Sequence, residues 1–254
     1  MKPVISRPNI LARAFTCCAS AMLAVLPIVV TTTATAGTGI LIEETFIGKT
    51  PGAFNGAPSG KGKLGVWRGP VDHLFGSVEI ITDDDTSSSV LAIRDTGPDA
   101  NQGPSVRIDW PPVKSGDAGT VVVEFKYKTL PPASDADASS ANYRTDIYIG
   151  GAWAKAIATI VLERGRIGLH DGKKVTTLGR YIPNRWQSFH LEVDTAARTF
   201  SLKIDDRPVA NKLPWVNQES PGFSNVSIRS DMSPTARNGE IVLLLSDLKV
   251  STQN

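Results

Sequence analysis

Apolar and polar side chains alternate with a period of two along nearly the whole chain from Ile40 onward. Such alternation is typical of strands that bury one face and expose the other. In residues 186–194, for example, Phe189, Leu191 and Val193 alternate with polar residues. The connecting segments are rich in Gly, Pro, Asp and Ser, which favour turns. No segment shows the period of a long amphipathic helix, so the sequence predicts an all-β protein.

The alternating pattern divides into about thirteen short strand segments. They are 40–46, 77–82, 89–94, 105–110, 120–129, 143–150, 156–163, 166–170, 174–178, 186–194, 199–205, 225–229 and 240–251. Many short strands with regular turn signals predict an antiparallel two-sheet β-sandwich (jelly roll) of about 12–14 strands. No shift in composition marks a second domain, and we therefore expect one jelly-roll domain over residues 37–254.

The first 36 residues have the features of a signal peptide. Three basic residues and no acidic residue accompany a short apolar run at 19–30, and Ala34-Thr35-Ala36 has the small-x-small pattern of a cleavage site before Gly37. The apolar run has about 12 residues, fewer than the roughly 20 that span a bilayer as a helix. The sequence thus predicts a secreted or periplasmic protein with no membrane span after signal cleavage.

Export also changes the cysteine content and the charge. Cys17 and Cys18 both lie in the signal segment, so the mature chain has no thiol for catalysis or metal binding. Three of the 27 Lys and Arg residues leave with the signal, and 24 remain against 25 Asp and Glu. Without a concentrated basic patch, nucleic acid is not an expected partner.

Two neighbouring segments resemble a known superfamily. The succession Trp186-Gln-Ser-Phe-His-Leu-Glu-Val-Asp194 and Arg198-Thr-Phe-Ser-Leu-Lys-Ile-Asp-Asp206 is similar to the concanavalin A-like lectin/glucanase superfamily, in particular to its laminin-G-like members. The opening strand, with Glu44 and Phe46, and the closing strand around Asp247 look like the ends of that fold. The resemblance implies a jelly roll whose concave outer face often binds sugars.

The turn between these two segments also predicts how their strands pair. Residues 194–199 form a short polar turn, which sets the register of an antiparallel hairpin. The predicted pairs are Val193 with Phe200, Leu191 with Leu202, and Phe189 with Ile204. Trp186, at the start of the first strand, is interpreted as a packing residue.

Two rows of polar residues on predicted strands are candidates for a binding site, because side chains two positions apart share one face of a strand. Arg144, Asp146 and Tyr148 form one row, and His190 and Glu192 begin the other. We predict that both rows contribute to one concave face that binds a polysaccharide or glycan. Trp153, in a turn of small residues, is the candidate for stacking on a sugar ring. The alternative is that the polar residues are ordinary solvated residues and that Trp153 packs in the core or against a loop.

Catalysis is the rival interpretation. Glu192 and Asp194 have the spacing of a glycosidase pair, but the Glu-x-Asp-x-x-Glu strand of the superfamily's glucanases is absent. Arg144, Tyr148, His190 and Lys126 are residue types that a polysaccharide lyase uses, although the motifs of jelly-roll alginate lyases are missing. The sequence favours binding over catalysis. Among the enzyme alternatives, it favours a polysaccharide lyase over a glycoside hydrolase. A structural envelope protein that binds other proteins is a further alternative.

Carboxylates suggest one metal site. Glu44 near the first strand and Asp247 near the last would be neighbours in a jelly roll, and the resemblance implies a structural calcium there, with a satisfied polar pair as the alternative. The run Asp83-Asp84-Asp85 lacks the spacing of an EF-hand loop and is interpreted as a solvated turn. His170 is isolated in sequence, and three scattered His residues do not predict a zinc site.

Overall fold

Strands account for most of the structure, a computed structural model that describes residues 39–54, 66–68, 76–96, 103–114, 119–130, 143–151, 155–232 and 241–253. All of these residues belong to one compact unit, Thr35–Asn254. The predicted signal peptide lies outside the described residues. Within the described ranges, no helix is long and apolar enough to cross a membrane.

Sixteen strands are present among the described residues. They are β1 (Gly39–Glu44), β2 (Gly52–Ala53), β3 (Val66–Arg68), β4 (Gly76–Thr82), β5 (Ser89–Asp95), β6 (Ser105–Lys114), β7 (Thr120–Leu130), β8 (Tyr143–Ile149), β9 (Ala158–Glu163), β10 (Arg166–His170), β11 (Val175–Arg180), β12 (Gln187–Asp194), β13 (Thr199–Ile204), β14 (Arg207–Pro214), β15 (Gly222–Met232) and β16 (Ile241–Gln253).

These strands form two antiparallel sheets. The nine-stranded sheet has the order β14-β13-β12-β7-β16-β5-β4-β2, with β1 also paired to β16. The seven-stranded sheet has the order β11-β10-β9-β8-β15-β6-β3. Strands that are distant in sequence, such as β7 and β16, pair directly, so many contacts within the sheets are long-range. The predicted fold class, an antiparallel two-sheet β-sandwich of the jelly-roll type, is confirmed.

All thirteen predicted strand segments correspond to observed strands, and the sequence pattern missed β2, β3 and β14. Strands β2 and β3 have two and three residues, too few to show an alternating pattern. The third, β14, contains Pro208 and Pro214. It lies at the edge of the nine-stranded sheet. At an edge, the missing N–H of a proline breaks no hydrogen bond in the interior of the sheet.

The hydrophobic core lies between the inner faces of the two sheets. Its side chains are the inward-facing residues of each strand, for example Ile147 of β8 and Leu191 of β12. Both of these side chains are buried. The rings of Phe125 and Phe189 stack in this core with centroids 4.4 Å apart. The predicted register of the β12–β13 hairpin is confirmed in its three pairs, Val193 with Phe200, Leu191 with Leu202, and Phe189 with Ile204.

A second, smaller apolar cluster lies on the outer face of the nine-stranded sheet. It consists of Val90, Ala92, Val242 and Leu244, and the indole of Trp186 packs against it. These residues alternate with core residues of the same strands, which places them on the opposite face. The interpretation of Trp186 as a packing residue is therefore correct, but the side chain packs outside the sandwich.

Candidate functional site

The row formed by Arg144, Asp146 and Tyr148 lies on the outer face of the seven-stranded sheet. On β8 these residues alternate with Ile147 and Ile149, whose side chains belong to the core. Although the row faces away from the core, Asp146 is only 1% exposed and Tyr148 5%. Asp146 and Tyr148 are therefore buried even though the row lies on the outer face of the sheet.

Asp146 orients both of its neighbours in the row. Its Oδ1 accepts a hydrogen bond from Nε of Arg144, and its Oδ2 accepts one from the hydroxyl of Tyr148 at 3.0 Å. Burial by itself would lower the pKa of Arg144, but the hydrogen bond and negative charge of Asp146 outweigh it and raise that pKa. The guanidinium is therefore a permanent, positioned cation.

Strand β6 carries a second Arg-x-Asp pair on the same face. Nε of Arg107 donates to Oδ1 of Asp109 at 2.8 Å. The register links the two pairs through β15, since Ser227 pairs with both Arg107 and Tyr148. Asn225, which pairs with Asp109, is buried, and its Oδ1 has no hydrogen-bond partner within the described residues. Positioned donors and acceptors thus continue across three strands.

On the other side of β8, the face continues to a small recess. Thr159 of β9 pairs with both Tyr148 and His170. The recess has a volume of about 230 Å³ and is lined by Ala156, Thr159, His170, Asp171, Gly172, Val216 and Asn217. Sequence reasoning treated His170 as isolated, because its neighbours in space come from strand pairing and turns that are distant along the chain.

The ring nitrogens of His170 have different roles. Its Nδ1 accepts a hydrogen bond from the backbone N–H of Gly172 at 3.2 Å. A neutral imidazole that accepts at Nδ1 carries its proton at Nε2. Nε2 is then a hydrogen-bond donor and not a base that could abstract a proton.

The prediction that His190 and Glu192 share a face with Arg144 is wrong. His190 and Glu192 lie on β12 of the nine-stranded sheet, whereas Arg144 lies on β8 of the seven-stranded sheet. Alternation along a strand shows which residues share a face, but not which sheet the strand joins. The outer faces of the two sheets of a sandwich point in opposite directions, so the two rows cannot contact one ligand.

The His190 row forms a chain of polar contacts of its own. His190 Nδ1 lies 3.0 Å from Oε1 of Glu124, and its Nε2 lies 2.8 Å from Oε1 of Glu192. Lys203 extends the chain, with its Nζ 3.1 Å from the same Glu192 oxygen. Each of these side chains is between 27% and 41% exposed, which makes the row a solvated, mutually paired surface.

The acidic pair considered for glycoside hydrolysis is engaged in local contacts. Hydrogen bonds from His190 and Lys203 hold the pKa of Glu192 below its ordinary value, whereas a general acid needs a raised pKa. The carboxylate of Asp194 accepts a bond from the N–H of Ala197 at 2.7 Å and stabilises the β12–β13 turn. This geometry does not support a glycosidase. The aromatic candidate, Trp153, lies outside the described residues.

Glu44 and Asp247 do not form a shared cation site. Glu44 pairs with Leu248, lies on the core side and is fully buried, with its Oε2 at 3.4 Å from Nζ of Lys49. The carboxylate of Asp247 instead contacts Nζ of Lys126 at 2.9 Å, on the outer face. Each carboxylate already has an ammonium partner, and the residues do not fit the implied calcium. No group of three or more potential metal ligands occurs within the described residues.

The interpretation of Asp83 as part of a solvated turn is also wrong. Asp83 is 3% exposed. Its Oδ2 accepts hydrogen bonds from Trp186 Nε1 at 3.1 Å and from the Thr86 hydroxyl at 2.9 Å. Its Oδ1 lies 3.2 Å from Nζ of Lys128, a lysine that is itself buried. The sequence contained no local sign of this contact, because Lys128 is 45 residues away.

The two packed antiparallel sheets define a jelly-roll β-sandwich, and solved structures of low sequence identity share this architecture. A sialidase matches with a TM-score of 0.53 at 12% identity, over 72% of this chain and 16% of that chain. The binding domain of botulinum neurotoxin serotype D/C matches at 0.52 and 9% identity, over 83% of this chain and 48% of that chain. The serotype G binding domain matches at 0.50 and 11% identity, over 84% and 47%.

The chain spans about half the length of these toxin domains and a smaller share of the sialidase. No protein-family model matches the sequence, and no curated protein matches it either. These comparisons show the fold.

Proposed function

We propose that this protein binds carbohydrate non-covalently through the outer face of the seven-stranded sheet, around Arg144, Asp146 and Tyr148. One observation carries the proposal: a buried polar row faces away from the core, with its hydrogen bonds arranged by one carboxylate. Burying polar groups costs free energy unless they are paired. A few donors and acceptors in fixed positions are what orient a small polar ligand in a binding site.

The arrangement favours binding over catalysis. Asp146 accepts bonds from both Arg144 and Tyr148, so its oxygens are engaged and the phenolic proton is directed at it. Nδ1 of His170 is occupied by a backbone N–H. Nη2 of Arg144 has no hydrogen-bond partner within the described residues, and an N–H donor matches the oxygens of a sugar. The proposal includes export of the protein to the periplasm or the medium, as its N-terminal sequence predicts.

A glycan array probed with the purified protein tests the proposal, with Tyr148→Phe as the diagnostic variant. Loss of one hydrogen bond predicts roughly 2- to 10-fold weaker retention. Tyr127→Phe is the matched control, because the Tyr127 hydroxyl is buried in the core and has no hydrogen-bond partner within the described residues. Retention that is equal in all three proteins would show that the site lies elsewhere. A blank array would favour a structural envelope protein that binds other proteins.

A polysaccharide lyase is the second candidate, because Tyr148 and His170 flank Thr159 on neighbouring strands beside the Arg144 cation. A cation that neutralises a uronate carboxylate, together with groups that move a proton, is the requirement for β-elimination. Incubation with alginate or glycosaminoglycans would then produce new ultraviolet absorbance from unsaturated uronate. Binding without new absorbance would exclude this candidate for the polymers tested.

A further inference from the structure

A second pocket lies on the outer face of the nine-stranded sheet, which is turned away from the site proposed above. Its volume is about 330 Å³, at the lower end of the roughly 300–1,000 Å³ of small-molecule sites. The residues that line it include Trp186, Ile47, Ser188 and Ser246. The predicted function does not involve these residues.

The aromatic wall of this pocket is held in a fixed orientation. Nε1 of Trp186 donates to Oδ2 of Asp83 at 3.1 Å, and Thr86 donates to the same oxygen. Lys128 neutralises Asp83 from below the surface, since both side chains are nearly fully buried. A buried ion pair adds little net stability relative to apolar packing. The ion pair instead holds the carboxylate of Asp83 in place, and Asp83 holds the indole in one position at the edge of the cavity.

The opposite rim carries an ion pair on an irregular piece of strand. Nζ of Lys126 lies 2.9 Å from Oδ2 of Asp247, and both residues line the pocket. Asp247 has a φ of 52° and lies in a bulge of β16, where the register with β7 shifts between Ser246 and Lys249. A bulge redirects side chains that would otherwise alternate, and this one directs a carboxylate to the pocket.

We infer that this pocket binds one ring of a neutral saccharide. The charges of Lys126 and Asp247 cancel, which favours a neutral ligand over an ion. A pyranose has an apolar C–H face, which the Trp186 indole and the exposed side chain of Ile47 can cover. Its hydroxyls can donate to the Asp247 carboxylate and accept from Lys126 and the serines. A purely aromatic ligand would cover the same polar groups without pairing them, which costs free energy.

Saturation-transfer NMR on the full-length protein tests this inference with five probes. The neutral probes are methyl β-glucopyranoside, methyl α-mannopyranoside and methyl β-galactopyranoside; glucuronate and phenol are the anionic and aromatic comparisons. We expect saturation of at least one neutral pyranoside. Asp247→Asn should weaken its binding roughly 10-fold or more, because a charged acceptor is lost. Asp206→Asn is the matched control, an exposed aspartate that also has a positive φ, 62°.

A second variant keeps the test decisive if Asp247→Asn folds poorly. Ser188 is exposed and lines the pocket, so Ser188→Leu should fill the cavity and abolish the signal while the thermal unfolding temperature is retained. The inference is overturned by pyranoside binding that survives in both variants, or by preferential binding of phenol or glucuronate. It is also overturned by a signal that Tyr148→Phe removes and Asp247→Asn does not, since that signal would belong to the other sheet.

Discussion

Lys128 and Asp83 form an ion pair in which both side chains are buried. Nζ and Oδ1 are 3.2 Å apart, and the side chains are 6% and 2% exposed. The pair joins strand β7 to the turn after β4, 45 residues earlier. Asp83 in turn holds Trp186 of a third segment. Three distant parts of the chain therefore meet at one carboxylate on the outer face of the nine-stranded sheet.

Replacing Lys128 with methionine should destabilise the protein strongly. Lys128→Met keeps the length of the side chain but leaves Asp83 as a buried charge that has lost its cation, and loss of one partner of such a pair costs about 3–5 kcal/mol. Urea denaturation measures the free energy of unfolding. Lys126→Met is the control, because Lys126 is 55% exposed in its pair with Asp247 and should cost less than about 1 kcal/mol. If both variants lose the same free energy of unfolding, the assigned burial of Lys128 is contradicted.

Stability should fall at acid pH through Asp83. Burial by itself raises the pKa of Asp83, but hydrogen bonds from Trp186, Thr86 and Lys128 outweigh it and hold that pKa below its ordinary value. A carboxylate with a lowered folded-state pKa contributes stability above its unfolded pKa, about 3.9, and this contribution is lost as the pH falls through the folded-state value. The contribution should therefore be complete near neutral pH.

Unfolding free energies measured across a pH series test this behaviour. The difference between the parent protein and Asp83→Asn should be largest near neutral pH and shrink below about pH 4. Asp84→Asn, at the exposed neighbouring residue, should give a small difference at every pH. A difference for Asp83→Asn that does not depend on pH would argue against a charged Asp83.

The two Arg-x-Asp pairs of the seven-stranded sheet should respond differently to the same change. Asp146→Asn replaces one of the two accepting oxygens by an amide NH2 and so removes one of the two hydrogen bonds that Asp146 accepts, and loss of a buried hydrogen bond costs about 1–3 kcal/mol. Asp109→Asn affects a pair whose carboxylate is 20% exposed and should cost less. Thermal unfolding gives the cost, and the glycan array shows whether only the first change also weakens retention. If Asp109→Asn has the larger effect on both thermal stability and glycan retention, the binding site lies closer to β6 than we propose.

Adjacent residues of β13 should differ sharply in their contribution to stability. Leu202 is fully buried in the core, whereas Lys203 is 41% exposed and contacts Glu192. Leu202→Ala should cost about 2–5 kcal/mol, since it removes buried contacts and leaves a cavity. Lys203→Ala should cost less than about 1 kcal/mol. Denaturant titration of both variants checks the inward and outward assignment, and a reversed order would mean that the strand is turned over.

Local patterns in the sequence were enough to locate most of the strands and to predict which side of each of these strands faces the core. The period of two depends only on neighbouring residues, and it located thirteen of the sixteen described strands. The register of the β12–β13 hairpin could be predicted for the same reason, because a short turn brings Val193 and Phe200 directly opposite each other. The grouping of Arg144, Asp146 and Tyr148 on one face follows from spacing along a single strand.

Which strands are neighbours is visible only in the folded chain. Alternation is the same whichever sheet a strand joins, so the sequence could not show that β8 and β12 belong to different sheets and that Arg144 and His190 face opposite directions. It could not show that Lys128 neutralises Asp83, or that Glu44 and Asp247 each pair with a different lysine. These contacts depend on strand order and on a bulge, which arise from long-range packing of the two sheets.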